Sequence, residues 1–314
     1  MGGRPRPRRD RWGRGVLVLL IGIGLAHADP RPRIITLSPA LAEMVFDVGA
    51  GPDLVGTVRF SRHPVPAQEV PRVGDAFGLD LSRILFLHPT LILAWKGGTP
   101  PATVDALRRL DFRVVSLGAS RLRDISRELI RIGQLTGRMR QARQVARAFR
   151  TELAKMGSPP QGPEPLRVFY EVARHPLDTI GRPQIISRAI RACGGRNLFD
   201  GIDEMAFPVS ITSVLERNPE LIIVGRPRSV RFWKHFRQLA AVKAGAVDVI
   251  PAGLLAQATP RMLRGIRMLC HDLARARAFQ SARAVRIKDR AQASRGHAPR
   301  VLPTRLPPGE RHGP

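Results

Sequence analysis

One phrase occurs twice in this chain, and it limits the fold more than any other feature. "PTLILAWKGG" begins at Pro89 and "PELIIVGRP" at Pro219. Each is a proline, a polar residue, a short apolar run rich in Leu and Ile, and a turn. Each follows a helix-like stretch, "LSRILFLH" and "SVLERN". The residue before a proline is driven out of helical backbone, so both stretches stop there. Around each copy, strands alternate with helices, the pattern of an α/β lobe with a largely parallel sheet.

The surrounding sequence fills in two such lobes. "RIITL" from Arg33 is a strand. A helix follows, with Ser38 as its cap, Pro39 in its first turn, and Gly49 and Gly51 at its end. "DLVGTV", "LILAW" and "RVVSL" are further strands, with helices between them and a Gly97-Gly98 turn after Trp95. From Leu122 to Met156 the periodicity is helical throughout, with a break at Gly137. From Arg138 to Met156 there is neither Gly nor Pro, and "GSPPQGPEP" then ends the stretch. The α/β pattern restarts with "LRVFYEV", "QIISRAIRACGG", "ITSVLERN", "LIIVG", "SVRFWKHFRQLAAV", "AVDVIP" and a closing helix to Phe279. The expected organisation is an N-terminal α/β lobe over 29–121, connecting helices over 122–157 and a C-terminal α/β lobe over 158–279. Two similar lobes joined by a long rigid helix face each other across a cleft, where ligands tend to bind.

Both ends of the chain stand apart. The first 28 residues have six Arg, then "VLVLLIGIGLA", then "AHA". A basic region, an apolar run short for a bilayer span and a small-x-small site predict a cleavable signal peptide and a periplasmic product. No Cys at the cleavage site signals a lipid anchor. Residues 280–314 carry many Arg, several Pro and no periodicity, and are expected to be a disordered basic tail. The chain has 314 residues, room for two cores, and a formal charge of +27. Its basic residues are nearly all Arg, as GC-rich codons would give. The body between the two ends keeps a positive surplus that favours anionic ligands or surfaces. Cys193 and Cys270 form an even pair in an exported chain, so a disulfide is expected. Neither has a neighbour at metal-ligand spacing, so no metal site is expected.

Catalytic signatures are missing. The chain has no G-x-S-x-G, H-E-x-x-H or P-loop, and its eight His are scattered. No catalytic residue and no cofactor are expected. "GRPRSVRFWKHF" mixes Arg with aromatics as nucleic-acid binders do. It also reads as an amphipathic helix with Phe232, Trp233 and Phe236 on a core face, and export argues against a nucleic-acid partner. The candidates for the cleft are Phe60, Phe77, Trp95, Lys96, Gly97 and Gly98 in the first lobe, and Tyr170, Arg174, Phe207 and Arg261 in the second. Trp95 leads, because it closes a strand, where open α/β folds bind ligands.

"RIITLSPALAEMVFDVGAG", "LILAWKGG", "IRACGGRNLF", "NPELIIV" and "TPRMLRGIRMLC" together resemble the periplasmic cobalamin-binding protein family. This family belongs to the helical-backbone class of substrate-binding proteins for ABC transporters, alongside haem and siderophore binders. The resemblance runs from Arg33 to Ala274. It implies a monomer that captures cobalamin or a related corrinoid between its lobes and delivers it to an inner-membrane permease. Haem or a ferric siderophore is the alternative cargo, and a periplasmic enzyme on the same fold a more distant one. The resemblance also implies the Cys193–Cys270 bridge. Trp95 matches a pocket aromatic, Phe60 falls where the family has Tyr, and Phe207 lies beside a pocket Trp. Ala76 replaces a pocket Trp, with Phe77 adjacent, and Asp178 replaces a Phe. Gly253 and Gln257 stand where the family has Asp and Arg near the ligand. The two surface acids with which the family docks onto its permease align with Pro71 and Thr212, and Glu69 and Glu216 lie close by as substitutes.

Overall fold

The structure, a computed structural model, describes residues 1–3, 31–75, 78–156 and 164–295. The signal-peptide expectation, Phe77 and the last part of the tail lie outside the described residues. From Pro32 onward the described residues form one compact unit.

The first lobe holds β1 (Ile34–Thr36), α1 (Pro39–Asp47), β2 (Leu54–Thr57), α2 (Leu81–Phe86), β3 (Leu91–Trp95), α3 (Pro101–Arg109) and β4 (Val114–Leu117). Its four strands pair in parallel in the order β2-β1-β3-β4. Ser38 caps α1 by accepting a hydrogen bond from the Leu41 amide, and Asp80 caps α2 in the same way from Arg83.

Two helices follow, α4 (Asp124–Leu135) and α5 (Met139–Lys155), separated at Gly137, whose φ of 71° suits glycine. The second lobe holds β5 (Leu166–Glu171), β6 (Ala173–Arg174), β7 (Leu177–Ile180), α6 (Ile185–Ala192), β8 (Gly195–Asn197), β9 (Ala206–Pro208), α7 (Ile211–Arg217), β10 (Leu221–Val224), α8 (Pro227–Lys234), α9 (Ala240–Lys243), β11 (Val247–Val249), α10 (Ala252–Leu255) and α11 (Met262–Arg295). Its main sheet is also parallel, in the order β11-β10-β5-β8.

The repeated phrase now has a physical reason. Side chains along a strand alternate between the two faces of the sheet. On β3, Leu91 and Leu93 enter one core, while Ile92 and Ala94 enter another with Ile84 and Leu107. On β10, Leu221 and Ile223 face the first of these cores, while Ile222 and Val224 face a third with Trp233. Both strands are covered on both faces, so every position must be apolar. The first core is common to both sheets and includes Leu129 and Ile132 of α4 and Ala142, Ala146 and Phe149 of α5. The connecting helices are therefore packed into a core that both lobes share.

The structure departs from the sequence reading in the second lobe. A small antiparallel sheet, β6-β7-β9, adds to the main one. The helix expected across residues 229–242 is two, α8 and α9. The expected disordered tail is corrected over its first part: α11 continues unbroken from Met262 to Arg295. Cys193, after α6, is bonded to Cys270 on α11.

Candidate functional site

The carboxyl ends of the strands and the starts of the helices after them surround three recesses. A cavity of about 340 Å3 lies between the lobes. The first lobe contributes Ser38 to Ala40, Trp95 to Gly97 and Gly118 to Ser120. The second contributes Pro183 to Ile185, Met205 and Ala256 to Ala258. Two helices, α1 and α6, start in its wall. Their N-terminal ends carry partial positive charge, and Lys96 adds a full charge. The wall thus favours a ligand with oxygen acceptors. Behind the Gly118 loop, burial pushes the Glu128 carboxyl upward.

A second recess, of about 290 Å3, shares Ser38, Pro39 and Trp95 with the first and is otherwise built on the N-terminal lobe. Trp95 and Phe60 stand in its wall, 42% and 67% exposed. So much bare aromatic surface at the mouth of a cleft suits stacking. Phe60 has φ 66°, a left-handed conformation that a bulky residue adopts only when its surroundings impose it. The guanidiniums of Arg59 and Arg62 lie 5.9 and 5.5 Å from its ring centre. The Trp95 amide donates to the Thr99 hydroxyl at 3.0 Å, and the Thr99 amide donates back to the Trp95 carbonyl at 2.8 Å. Gly98 is required by contact: a Cβ there would sit 1.7 Å from Cε3 of the indole.

The third recess, of about 270 Å3, belongs to the C-terminal lobe. It lies where β5 and β10 end and α8 begins, and Arg174, His175, Arg226 and Arg228 line it.

Phe60, Trp95, Lys96, Gly97 and Gly98 therefore come together around the cleft, and Arg174 lies on its C-terminal side. Three candidates do not line these recesses. Tyr170 is 3% exposed and faces the shared core, because it lies on the same face of β5 as Val168. Burial pushes its phenol well above the ordinary range. Phe207, on β9, turns inward and packs edge-on against Phe199, with ring centres 5.7 Å apart. Arg261 is engaged across the cleft, with Nη2 2.7 Å and Nε 3.2 Å from Oε2 of Glu43 on α1. Thr259 donates to Oε1 of the same carboxylate at 2.6 Å. The pair clamps lobe to lobe. Glu69 and Glu216 are exposed. Sequence reasoning passed over Ser38 to Ala40, Gln184, Met205, Arg226 and Arg228 as wall residues. Their one sequence signal is position, since each strand's carboxyl end points to the loop behind it.

The model of the family described as periplasmic binding protein matches residues 34–251. The chain belongs to that family. Among relatives of the periplasmic binding protein family, the vitamin B12-binding protein of Yersinia pseudotuberculosis is 30% identical over 267 residues, 83% of this chain and 93% of that one. The vitamin B12-binding protein of Vibrio vulnificus is 28% identical over 262 residues, 82% and 95% of the two chains. The solved periplasmic vitamin B12 binding protein of Vibrio cholerae has the same fold, with TM-score 0.72 and 27% identity over 79% of this chain and 98% of that one. A periplasmic heme-binding protein from Roseiflexus sp. RS-1 matches with TM-score 0.69 at 20% identity, over 79% of this chain and 99% of the other, a likeness of fold alone.

Proposed function

We propose that this chain is the exported binding protein of an ABC importer, holding cobalamin or a related corrinoid between its lobes and releasing it to a membrane permease. One observation carries the proposal. Trp95 and Phe60, both exposed, stand in the walls of adjoining recesses at the mouth of an interlobe cavity. A flat macrocycle can stack on such rings, while Lys96 and the positive ends of α1 and α6 meet its polar arms. Relatives named for vitamin B12 at 28–30% identity support the choice of cargo. In this reading the first 28 residues direct export, the chain acts as a monomer without catalysis, and Glu69 and Glu216 dock one lobe each onto the permease. Haem is the second reading, and Met205 favours it: a thioether in the cavity wall can ligate haem iron.

Absorbance separates these cargoes. The purified chain, incubated with cobalamin, haem or a ferric siderophore and then desalted, is expected to retain the corrinoid bands. Retention of haem alone would select the second reading, and retention of none would remove both. Trp95→Ala should lower corrinoid affinity by about 1–3 kcal/mol, roughly tenfold to hundredfold. Its circular dichroism should stay unchanged, because the ring is 42% exposed.

A further inference from the structure

The aromatic platform leaves the third recess without a role. It adjoins the cleft through α10: Ala252, at the start of α10, lines this recess, and Ala256, just past its end, lines the interlobe cavity. A ligand lying in the cleft therefore has the recess one short helix away.

The wall of the recess carries three guanidiniums against one carboxylate. Among the described residues, Arg174, Arg226 and Arg228 take part in no ion pair. The one carboxylate in the wall is Glu171, 5% exposed, and both its oxygens are engaged. Oε1 accepts from the Ser229 hydroxyl at 2.5 Å and Oε2 from the Trp233 indole at 2.6 Å. Arg174 is held in place, its guanidinium 4.6 Å from the Phe232 ring centre. Arg226 is the N-cap of α8 and Arg228 lies in its first turn, which holds no acidic residue. Cations at a helix N-terminus oppose the helix dipole. The chain thus places two of the three guanidiniums where the dipole of α8 opposes them, and a bound anion would reverse that cost.

We propose that the recess formed by Arg174, Arg226 and Arg228 is an anion subsite of the ligand cleft, taking a carboxylate or phosphodiester arm of the cargo. The inference rests on the corrinoid reading and narrows it: the cargo is anchored by stacking on the first lobe and by charge on the second.

The test compares two corrinoids that differ by a charge. Cobyric acid ends one arm in a carboxylate where cobinamide carries a neutral amide. Calorimetric titration of the full chain should give cobyric acid the higher affinity by about tenfold or more, as expected for a charge-assisted hydrogen bond. High salt should erode the preference. The triple variant Arg174→Gln, Arg226→Gln, Arg228→Gln should abolish it, with folding checked by thermal melting. Inorganic phosphate should compete with cobyric acid. Equal affinities in the wild type, or a preference that survives in the variant, overturn the proposal. Phosphate that binds to protein already saturated with cobyric acid also overturns it, because the recess would then be a site apart from the cargo. Should the triple variant fail to fold, the wild type decides, and a preference for the acid that ignores salt overturns the proposal. If neither corrinoid binds, the cargo reading itself falls and takes this one with it.

Discussion

At the scale of single residues, the contact between the lobes carries an acid it does not use. Glu43 and Asp47 lie one turn apart on α1, and Arg261 is bound to Glu43. Asp47 has a buried Oδ2 without a hydrogen-bond partner among the described residues. Burial, helped by the charge of Glu43 and only partly offset by Arg261, raises its pKa from 3.8 to about 7. The native chain keeps this proton up to about pH 7, while the unfolded chain releases it near 3.8. The group's contribution to stability is therefore complete below the unfolded value and is lost as the pH rises through about 7. Asp47→Asn, neutral at every pH, should melt higher than the wild type above about pH 7 and flatten the fall in Tm between about pH 4 and pH 7. Parallel melting curves for the two proteins across that window would mean that Asp47 is ionised in the native state. This contact was illegible in the sequence, because its partners are 218 residues apart. Trp95 was legible because its place at a strand's end fixes its neighbourhood. Tyr170 was not, because one residue of register on β5 decides between core and cleft.

At the scale of elements, the hairpin of α4 and α5 depends on close approach. A Cβ on Gly133 would lie 2.3 Å from Cβ of Ala142, so the two helices touch where only glycine fits. Gly133→Ala gains up to about 1 kcal/mol of helix propensity. Overpacking at so tight a contact costs about 1–3 kcal/mol. The expected result is a Tm lower by several degrees. A higher Tm would show that the hairpin gives way at no cost. Most elements of this fold were readable, since the strands are apolar on both faces and Gly or Pro punctuates the helices. The exceptions share a cause. β6, β8 and β9 are two or three residues long and contain Gly, Arg or Pro, too short to show a period. The split between α8 and α9 carries neither Gly nor Pro, so the tertiary contacts of Trp233 and Leu239 set it and local propensity does not. α11 passes the point where the sequence loses its apolar stripe, because Ala, Arg and Gln sustain a helix without one.

At the scale of the whole molecule, the lobes are joined three times over. α4 and α5 enter the core common to both sheets, Arg267 of α11 pairs with Glu152 of α5 at 3.6 Å, and Arg261 grips Glu43. No Gly or Pro interrupts α5 to serve as a hinge. Solution scattering with and without bound corrinoid should therefore give nearly the same radius of gyration. A contraction typical of wide hinge closure would mean that the shared core yields. The Glu43–Arg261 contact also bears on the order in which the chain is made. A chain synthesised from its N-terminus completes α1 long before Thr259 and Arg261 exist. Until they arrive, Glu43 lacks both of the partners that hold it in the finished fold. The carboxylate of Glu43 thus gains its hydroxyl and guanidinium partners only once the chain has been made as far as residue 261, so the order of synthesis puts the closing of this lock after the first lobe and both connecting helices exist.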